Sequence, residues 1–262
     1  MKRPLLRWFS ALLSAFTCAA ALAVAPAGNY SDLWGDAAET GWGLNLAQQG
    51  GALFGTMFVY GAGGDAVWYS STFVFQAITG NGVRVYEGDL YLTQGTPQGA
   101  TYDPTLLKYH KVGLATLEFG DESHALLRYN VGPVVVVKQV ARTTFAPISP
   151  AGDFIGATTD VTENCNSPAN NGLVTTDSGA IRITMLNNFA TIHAPTCFYE
   201  GDYVQHGQVG SLDGRYECTN KATGEVKFTG LRFESGGLVG NYTGRDSSCH
   251  FRGTIGGARK VP

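Results

Sequence analysis

Residues 34–46 of the chain read WGDAAETGWGLNL, residues 52–60 read ALFGTMFVY and residues 66–69 read AVWY, with the turns QQGG and GAGGD between them. Apolar residues alternate with small or polar residues in these segments, and glycine-rich turns separate them. A two-residue period between such turns is typical of successive antiparallel strands. This stretch therefore predicts a meander of β-strands.

The same alternation continues through the chain, and no long window shows a sustained helical period. In the first half we predict a short strand at 30–34 and further strands at 41–47, 52–60, 66–76, 83–93, 111–119, 124–131 and 134–145, with a long ordered loop at 94–110. In the second half we predict strands at 153–161, 179–185, 188–193, 198–205, 209–218, 225–233, 238–244 and 248–256. The continuous valine run at 134–137 indicates a strand that is covered on both faces or that closes the sheet. The fold class is all-β.

A short proline-rich segment, APISPAG at 146–152, divides two regions of different composition. We predict a Trp-containing β domain at 28–147 and a Cys-containing β domain at 152–262. About eight strands in each domain predict two antiparallel up-and-down barrels or strongly curled sheets, because closure removes exposed edges. A sandwich remains the alternative.

Residues 1–27 have the features of a secretory signal peptide. Lys2, Arg3 and Arg7 precede an apolar run, and the small-residue sites ALA and APA follow at 21–23 and 25–27. The run is shorter than the roughly 20 residues that span a bilayer, so cleavage is favoured over a retained anchor. We expect a secreted or periplasmic protein, with no membrane span after signal cleavage.

Charge limits the classes of partner. Cleavage would remove three basic residues and no acidic ones, so the formal net charge of −3 would become −6. A mildly acidic surface disfavours nucleic acid and anionic membranes.

Four cysteines, Cys165, Cys197, Cys218 and Cys249, follow the proposed boundary. An even number in an exported chain predicts two disulfides. Three pairings are open, and we favour Cys165–Cys197 with Cys218–Cys249, because a meander brings sequence-adjacent cysteines together. A zinc site using these sulfurs with His193 and His250 is disfavoured, because no Cys-x-x-Cys pair occurs. We predict no metal and no cofactor.

The first half resembles a module that is widespread in exported proteins of proteobacteria. The resemblance rests on a Trp, four residues and Glu-x-Gly-Trp-Gly at 34–43, then a strand ending at Tyr60 and a turn into Trp68. It extends over about 30–145 and includes YEGDLY at 86–91 and Arg142. Thr replaces the usual Ser at position 40, and Gly-Asp at 35–36 replaces an aromatic-Asn pair. The resemblance implies export and a β fold, and it implies no reaction.

The candidate ligand-binding residues are Trp34, Glu39, Trp42, Tyr60 and Trp68. Aromatic rings on a barrel can stack on a glycan or a small apolar ligand. Packing in the core is the competing interpretation for the Trp residues and the favoured one. For Glu39 the favoured interpretation is that it holds the loop between the first two strands by accepting backbone hydrogen bonds.

Two copies of Tyr-Glu-Gly-Asp, at 86–89 and 199–202, place two carboxylates on one face of a strand. Such pairs can act as acid and base in glycoside hydrolysis, but solvated strand carboxylates show the same pattern. No Gly-x-Ser-x-Gly, His-Glu-x-x-His or phosphate loop is present. We therefore predict no catalytic residues and an exported, non-catalytic binding or structural protein of the bacterial cell envelope or exterior. The alternative is an enzyme acting on polysaccharide or peptidoglycan.

Overall fold

The structure is a computed structural model that describes residues 28–260. The predicted signal peptide at 1–27 lies outside the described residues. Strands dominate, and the only helical elements among the described residues are two 3₁₀ turns, Pro104–Leu106 and Pro168–Asn170. No helix in this part of the chain has the length and apolar character needed to cross a membrane. The predicted all-β fold class is confirmed.

The first eight strands form a closed antiparallel barrel. They are β1 (Asp32–Gly35), β2 (Gly43–Gln49), β3 (Ala52–Tyr60), β4 (Ala66–Ile78), β5 (Arg84–Gln94), β6 (Lys108–Phe119), β7 (His124–Val131) and β8 (Val134–Arg142). Each strand pairs with the next, and β8 pairs with β1 through Arg142 and Trp34, which closes the sheet.

The next eight strands form a second closed barrel with the same up-and-down order. They are β9 (Gly152–Glu163), β10 (Val174–Leu186), β11 (Phe189–His193), β12 (Cys197–His206), β13 (Val209–Cys218), β14 (Thr223–Glu234), β15 (Gly237–Arg245) and β16 (His250–Arg259). Here β16 pairs with β9 along its whole length. The prediction of two eight-stranded barrels is confirmed, and the sandwich alternative is wrong.

Each barrel is filled by the inward-facing half of its strand residues. In β3, Leu53 and Met57 are buried, whereas Phe54 and Phe58, one position later, are exposed. This is the alternation that a pleated strand imposes, since successive side chains point to opposite faces. The interior is therefore a packed core.

β8, the strand that carries the valine run, closes the sheet, as one of the two interpretations of that run predicts, although the closing pairs are made by Ala141 and Arg142 at its other end. The valine run is not covered on both faces, because Val135 is 72 % exposed on the outer wall.

The long loop between β5 and β6 contains the 3₁₀ turn Pro104–Leu106. The Asp103 carboxylate accepts a hydrogen bond from Thr105 N at 2.8 Å at the start of this turn.

Both disulfides lie in the second barrel, but the favoured pairing is wrong. Cys197 and Cys218 face each other on neighbouring strands β12 and β13, and their bond links them directly. Cys165 follows β9 and Cys249 precedes β16, so the second bond lies where the first and last strands of the barrel meet. Barrel closure makes these distant cysteines neighbours.

A buried ion pair of the first barrel lies at its contact with the second barrel. Arg142 Nη1 of β8 lies 2.9 Å from Asp32 Oδ2 of β1, and both side chains are buried. Asp32 Oδ2 also accepts a hydrogen bond at 2.8 Å from the backbone N–H of Gln208, in the β12–β13 turn of the second barrel. Gly207 in that turn has φ +58°, and a Cβ there would lie 2.3 Å from Asp32 Oδ2. Only glycine therefore lets the turn approach the carboxylate this closely.

Candidate functional site

Trp34 belongs to the core of the first barrel. Its side chain is fully buried, and its Nε1 donates to the Tyr30 carbonyl at 3.0 Å. The Arg142 guanidinium lies over the ring, 4.9 Å from its centroid. With its faces packed and its polar atom satisfied, Trp34 has a structural role, and we leave it out of the candidate site.

Trp42 lies at the open end of the first barrel, the end away from the second barrel. Its half-buried ring packs against the core, and Lys138 Nζ stands 5.5 Å from its centroid. A cation over an indole face is attracted by the ring quadrupole. Trp42 Nε1 is buried and has no hydrogen-bond partner among the described residues. The indole thus combines a cation on its face with an unused donor.

Glu39 forms an ion pair with Lys138. Lys138 faces the barrel interior near its mouth, at an inward position of β8 that alternates with exposed neighbours. Burial raises the pKa of the neighbouring Tyr129 hydroxyl, and the charge of Lys138 partly offsets that rise. Sequence reasoning missed Lys138, although its spacing of two from Val136 and Val140 is the signal that places it inside.

Tyr60 covers the turn that carries the Gly-Trp-Gly sequence. A Cβ built on Gly41 would lie 3.0 Å from the Tyr60 hydroxyl, and Gly41 has φ +102°. The ring therefore occupies space that a side chain at position 41 would need, and the backbone conformation itself favours glycine. Tyr60 remains 60 % exposed.

Trp68 projects from the outer wall of the barrel. It stands directly opposite Phe58 on the neighbouring strand, and the two side chains are 47 % and 52 % exposed. Phe54 lies on the same face of β3 and is also exposed. We name Phe54, Phe58, Tyr60 and Trp68 the aromatic wall. Sequence reasoning missed Phe54 and Phe58, whose two-residue spacing from Tyr60 could have identified them.

The outer wall of the second barrel has different chemistry. Four ion pairs join residues that stand directly opposite each other on adjacent strands. They are Asp153–Arg182, Glu200–Arg215, Asp213–Lys227 and Glu225–Arg245. Paired charges give that wall a hydrated surface, so the aromatic wall is a distinguishing feature of the first barrel.

The two Tyr-Glu-Gly-Asp segments lie on β5 and β12, one in each barrel. In both, Tyr and Gly face inward while Glu and Asp face outward. Asp89 accepts from Lys111 Nζ at 2.6 Å, and Glu200 is paired with Arg215. Glu87 stands opposite Val74 and Thr116, so no basic side chain faces it across either neighbouring strand.

The sulfurs considered as zinc ligands are all in disulfides. The His193 ring packs edge-on against Phe198, with centroids 4.7 Å apart.

The structure thus separates the five predicted residues into three places: Trp34 in the core, Glu39 and Trp42 at the open rim, and Tyr60 and Trp68 on the aromatic wall. Rim and wall adjoin, since the Tyr60 ring packs on Gly41 next to Trp42. Comparison of the chain with protein-family models, with curated proteins and with solved structures found no match. What the chain binds therefore has to be inferred from its own side chains.

Proposed function

We propose that the protein is an exported, non-catalytic binding module of the bacterial cell envelope or exterior, and that its ligand is a glycan held against the aromatic wall of the first barrel. The observation that carries this proposal is the Phe58–Trp68 pair, two large rings left half-exposed on adjacent strands. Aromatic rings offer a broad apolar face at low conformational cost, which suits stacking on the apolar face of a sugar ring. The two disulfides and the resemblance of residues 30–145 to an exported module support the location.

Tryptophan fluorescence tests the proposal, because Trp68 is the most exposed of the three Trp residues after position 27. Residues 28–262 would be titrated with soluble oligosaccharides while the same mixtures are analysed for cleavage products. We expect a fluorescence change without cleavage. Trp68→Ala and Phe58→Ala should each weaken binding about ten-fold or more, as removal of a stacked aromatic anchor does.

Phe189→Ala is the matched control. Phe189 is an exposed aromatic residue of β11, on the outer wall of the second barrel. It should leave the affinity unchanged. Cleavage of a glycan that is lost in Glu87→Gln would replace the proposal with the polysaccharide- or peptidoglycan-acting enzyme, and equal binding by Trp68→Ala and the unaltered protein would overturn the aromatic-wall site.

A further inference from the structure

A groove of about 510 Å³ lies on the outer wall of the first barrel, beside the aromatic wall. It runs across β3, β4 and β5. The side chains that give it its chemistry are Phe54, Ser70, Thr72, Glu87, Asp89 and Tyr91.

The strand register fixes the order of these groups across the groove. Phe54 of β3 stands opposite Thr72 of β4, and Ser70 of β4 stands opposite Tyr91 of β5. Neighbouring strands lie about 4.8 Å apart, and the two rows are offset by about 7 Å along the strands, so the backbone positions of Phe54 and Tyr91 are about 12 Å apart, diagonally across the two β4 hydroxyls. The groove therefore has aromatic sides and a hydroxyl-bearing floor.

Two carboxylates complete the groove on the β5 side. Asp89 is held by Lys111 Nζ at 2.6 Å, and the Tyr91 hydroxyl lies 3.4 Å from its other oxygen. Glu87, two residues away on the same face, has no basic side chain opposite it. An ionised carboxylate only accepts hydrogen bonds, whereas Ser and Thr hydroxyls donate and accept. Together these groups match a ligand rich in hydroxyls.

The groove is continuous with the aromatic wall. Phe58–Trp68, Thr56–Ser70 and Phe54–Thr72 form three successive outward rows on β3 and β4. Rows two residues apart are separated by about 7 Å along the strands. A linear chain lying along the strands can therefore contact the Phe58–Trp68 pair and the groove at the same time.

We propose that this groove is a subsite for a neutral pyranose chain, with Phe54 and Tyr91 packing on sugar faces and Glu87 and Asp89 accepting hydrogen bonds from sugar hydroxyls. The proposal rests on the proposed function and extends it by naming the groups that recognise the ligand. A cationic peptide is the competing occupant, because carboxylates beside aromatic rings also suit ammonium groups. Lys111 already neutralises Asp89, and the hydroxyls on the floor favour the neutral sugar.

The test compares two double variants built on the repeated Tyr-Glu-Gly-Asp segment. Glu87→Gln/Asp89→Asn removes both acceptor charges from the groove, and Glu200→Gln/Asp202→Asn makes the same change in the second barrel. Both pairs face outward, so each variant should fold, which circular dichroism and thermal unfolding would verify. The probes are neutral hexasaccharides of glucose, mannose and N-acetylglucosamine, with hexalysine as the cationic probe, measured by calorimetry.

We expect at least one hexasaccharide to bind. Its Kd should rise about ten-fold or more in Glu87→Gln/Asp89→Asn, since hydrogen bonds to charged groups are the stronger ones. It should stay within about two-fold of the unaltered value in Glu200→Gln/Asp202→Asn. Glycan binding that depends on Trp68 and is unchanged in Glu87→Gln/Asp89→Asn would overturn the groove subsite and leave the proposed function standing. Binding of hexalysine in place of the sugars would overturn the neutral-glycan assignment, and no binding of any probe would overturn the proposed function itself.

Discussion

The orientation of individual side chains is where sequence and structure differ most in the first barrel. Alternation predicts that one face of a strand is buried, but it identifies the face only when the other face is polar. In β3 both faces are apolar, Leu53 and Met57 inside and Phe54 and Phe58 outside. The pattern therefore predicts the strand but not its inward face. For the same reason it does not distinguish the buried Trp34 of β1 from the outward Trp68 of β4. Their roles followed only from the register that closes the barrel.

The buried Asp32–Arg142 pair gives a prediction at this scale. Asp32→Asn leaves the guanidinium of Arg142 buried without its counter-charge, which costs about 3–5 kcal/mol of unfolding free energy. Urea denaturation followed by tryptophan fluorescence measures it, because all Trp residues after position 27 lie in the first barrel.

Glu118→Gln provides the control, because Glu118 pairs with Arg128 in the same barrel at 3.1 Å with both side chains partly exposed. Glu118→Gln should lower the unfolding free energy by less than about 1 kcal/mol. A cost for Asp32→Asn no larger than that would contradict the assigned role of the buried pair.

Strands are the scale at which the sequence was most informative. The predicted bounds of β3, β7 and β13 coincide with the observed Ala52–Tyr60, His124–Val131 and Val209–Cys218. Each has apolar residues at alternate positions and ends at a turn. The prediction for β10 began at 179, whereas the strand begins at Val174, because residues 174–178 (VTTDS) are mostly polar and exposed. Their strand conformation comes from pairing with β9, which local pattern does not reveal.

The pairing of the cysteines failed for a related reason. Adjacent strands do bring cysteines together, as Cys197 and Cys218 show. The other bond joins residues 84 positions apart, because the last strand returns to the first. Only the closed topology makes that pairing evident.

The two disulfides should differ in their effect on stability. In the chain-entropy model a bond that closes a longer loop constrains the unfolded chain more. Replacing Cys165 and Cys249 by Ala, separation 84, should therefore cost about 1 kcal/mol more than replacing Cys197 and Cys218, separation 21. Urea unfolding followed by circular dichroism reports both barrels, and tryptophan fluorescence reports the first barrel alone, so the difference between the two signals measures the second barrel.

The tryptophan transition of the first barrel serves as the internal control and should not shift in either variant. If both variants lose the same unfolding free energy, or if removal of the Cys197–Cys218 bond costs more, factors other than loop length decide the stabilisation.

Across the whole molecule, the two barrels share a topology and differ in surface. Cross-strand ion pairs are more numerous on the outer wall of the second barrel, while the first exposes a row of aromatic side chains on β3 and β4. Composition indicated this division only through the placement of Trp and Cys residues. Which outward positions carry which groups depends on strand register, which the sequence left open.

The contact between the barrels should respond to pH. Burial lowers the pKa of His206 from 6.5, and the facing His124, whose ring centroid is 6.1 Å away, lowers it further. Arg142 acts in the same direction, whereas Asp121 opposes it. A depressed folded-state pKa means that the unfolded chain binds the proton more readily, so stability should fall as pH decreases below 6.5.

Unfolding free energies measured from pH 5 to pH 7 in the unaltered protein and in His206→Gln would test this. In His206→Gln the unfolding free energy should decrease less between pH 7 and pH 5 than it does in the unaltered protein. His110→Gln, on β6 away from the contact, should show the same decrease as the unaltered protein. Glu122 at the same contact has a pKa that burial raises from 4.5, so it favours the folded state as pH falls. The comparison of variants isolates His206 from that opposite trend. Parallel profiles for His206→Gln and the unaltered protein would contradict the prediction.

The meeting of first and last strands in the second barrel has a consequence for protein engineering. Lys260 N donates to the Asp153 carbonyl at 2.8 Å, so the two ends of this barrel touch. A short peptide could join them and new termini could be cut in an exposed hairpin, giving a permuted gene that encodes the same closed barrel. For the same reason, the barrel could be inserted into a surface loop of a host protein, since its two ends lie close enough to join the two sides of one loop.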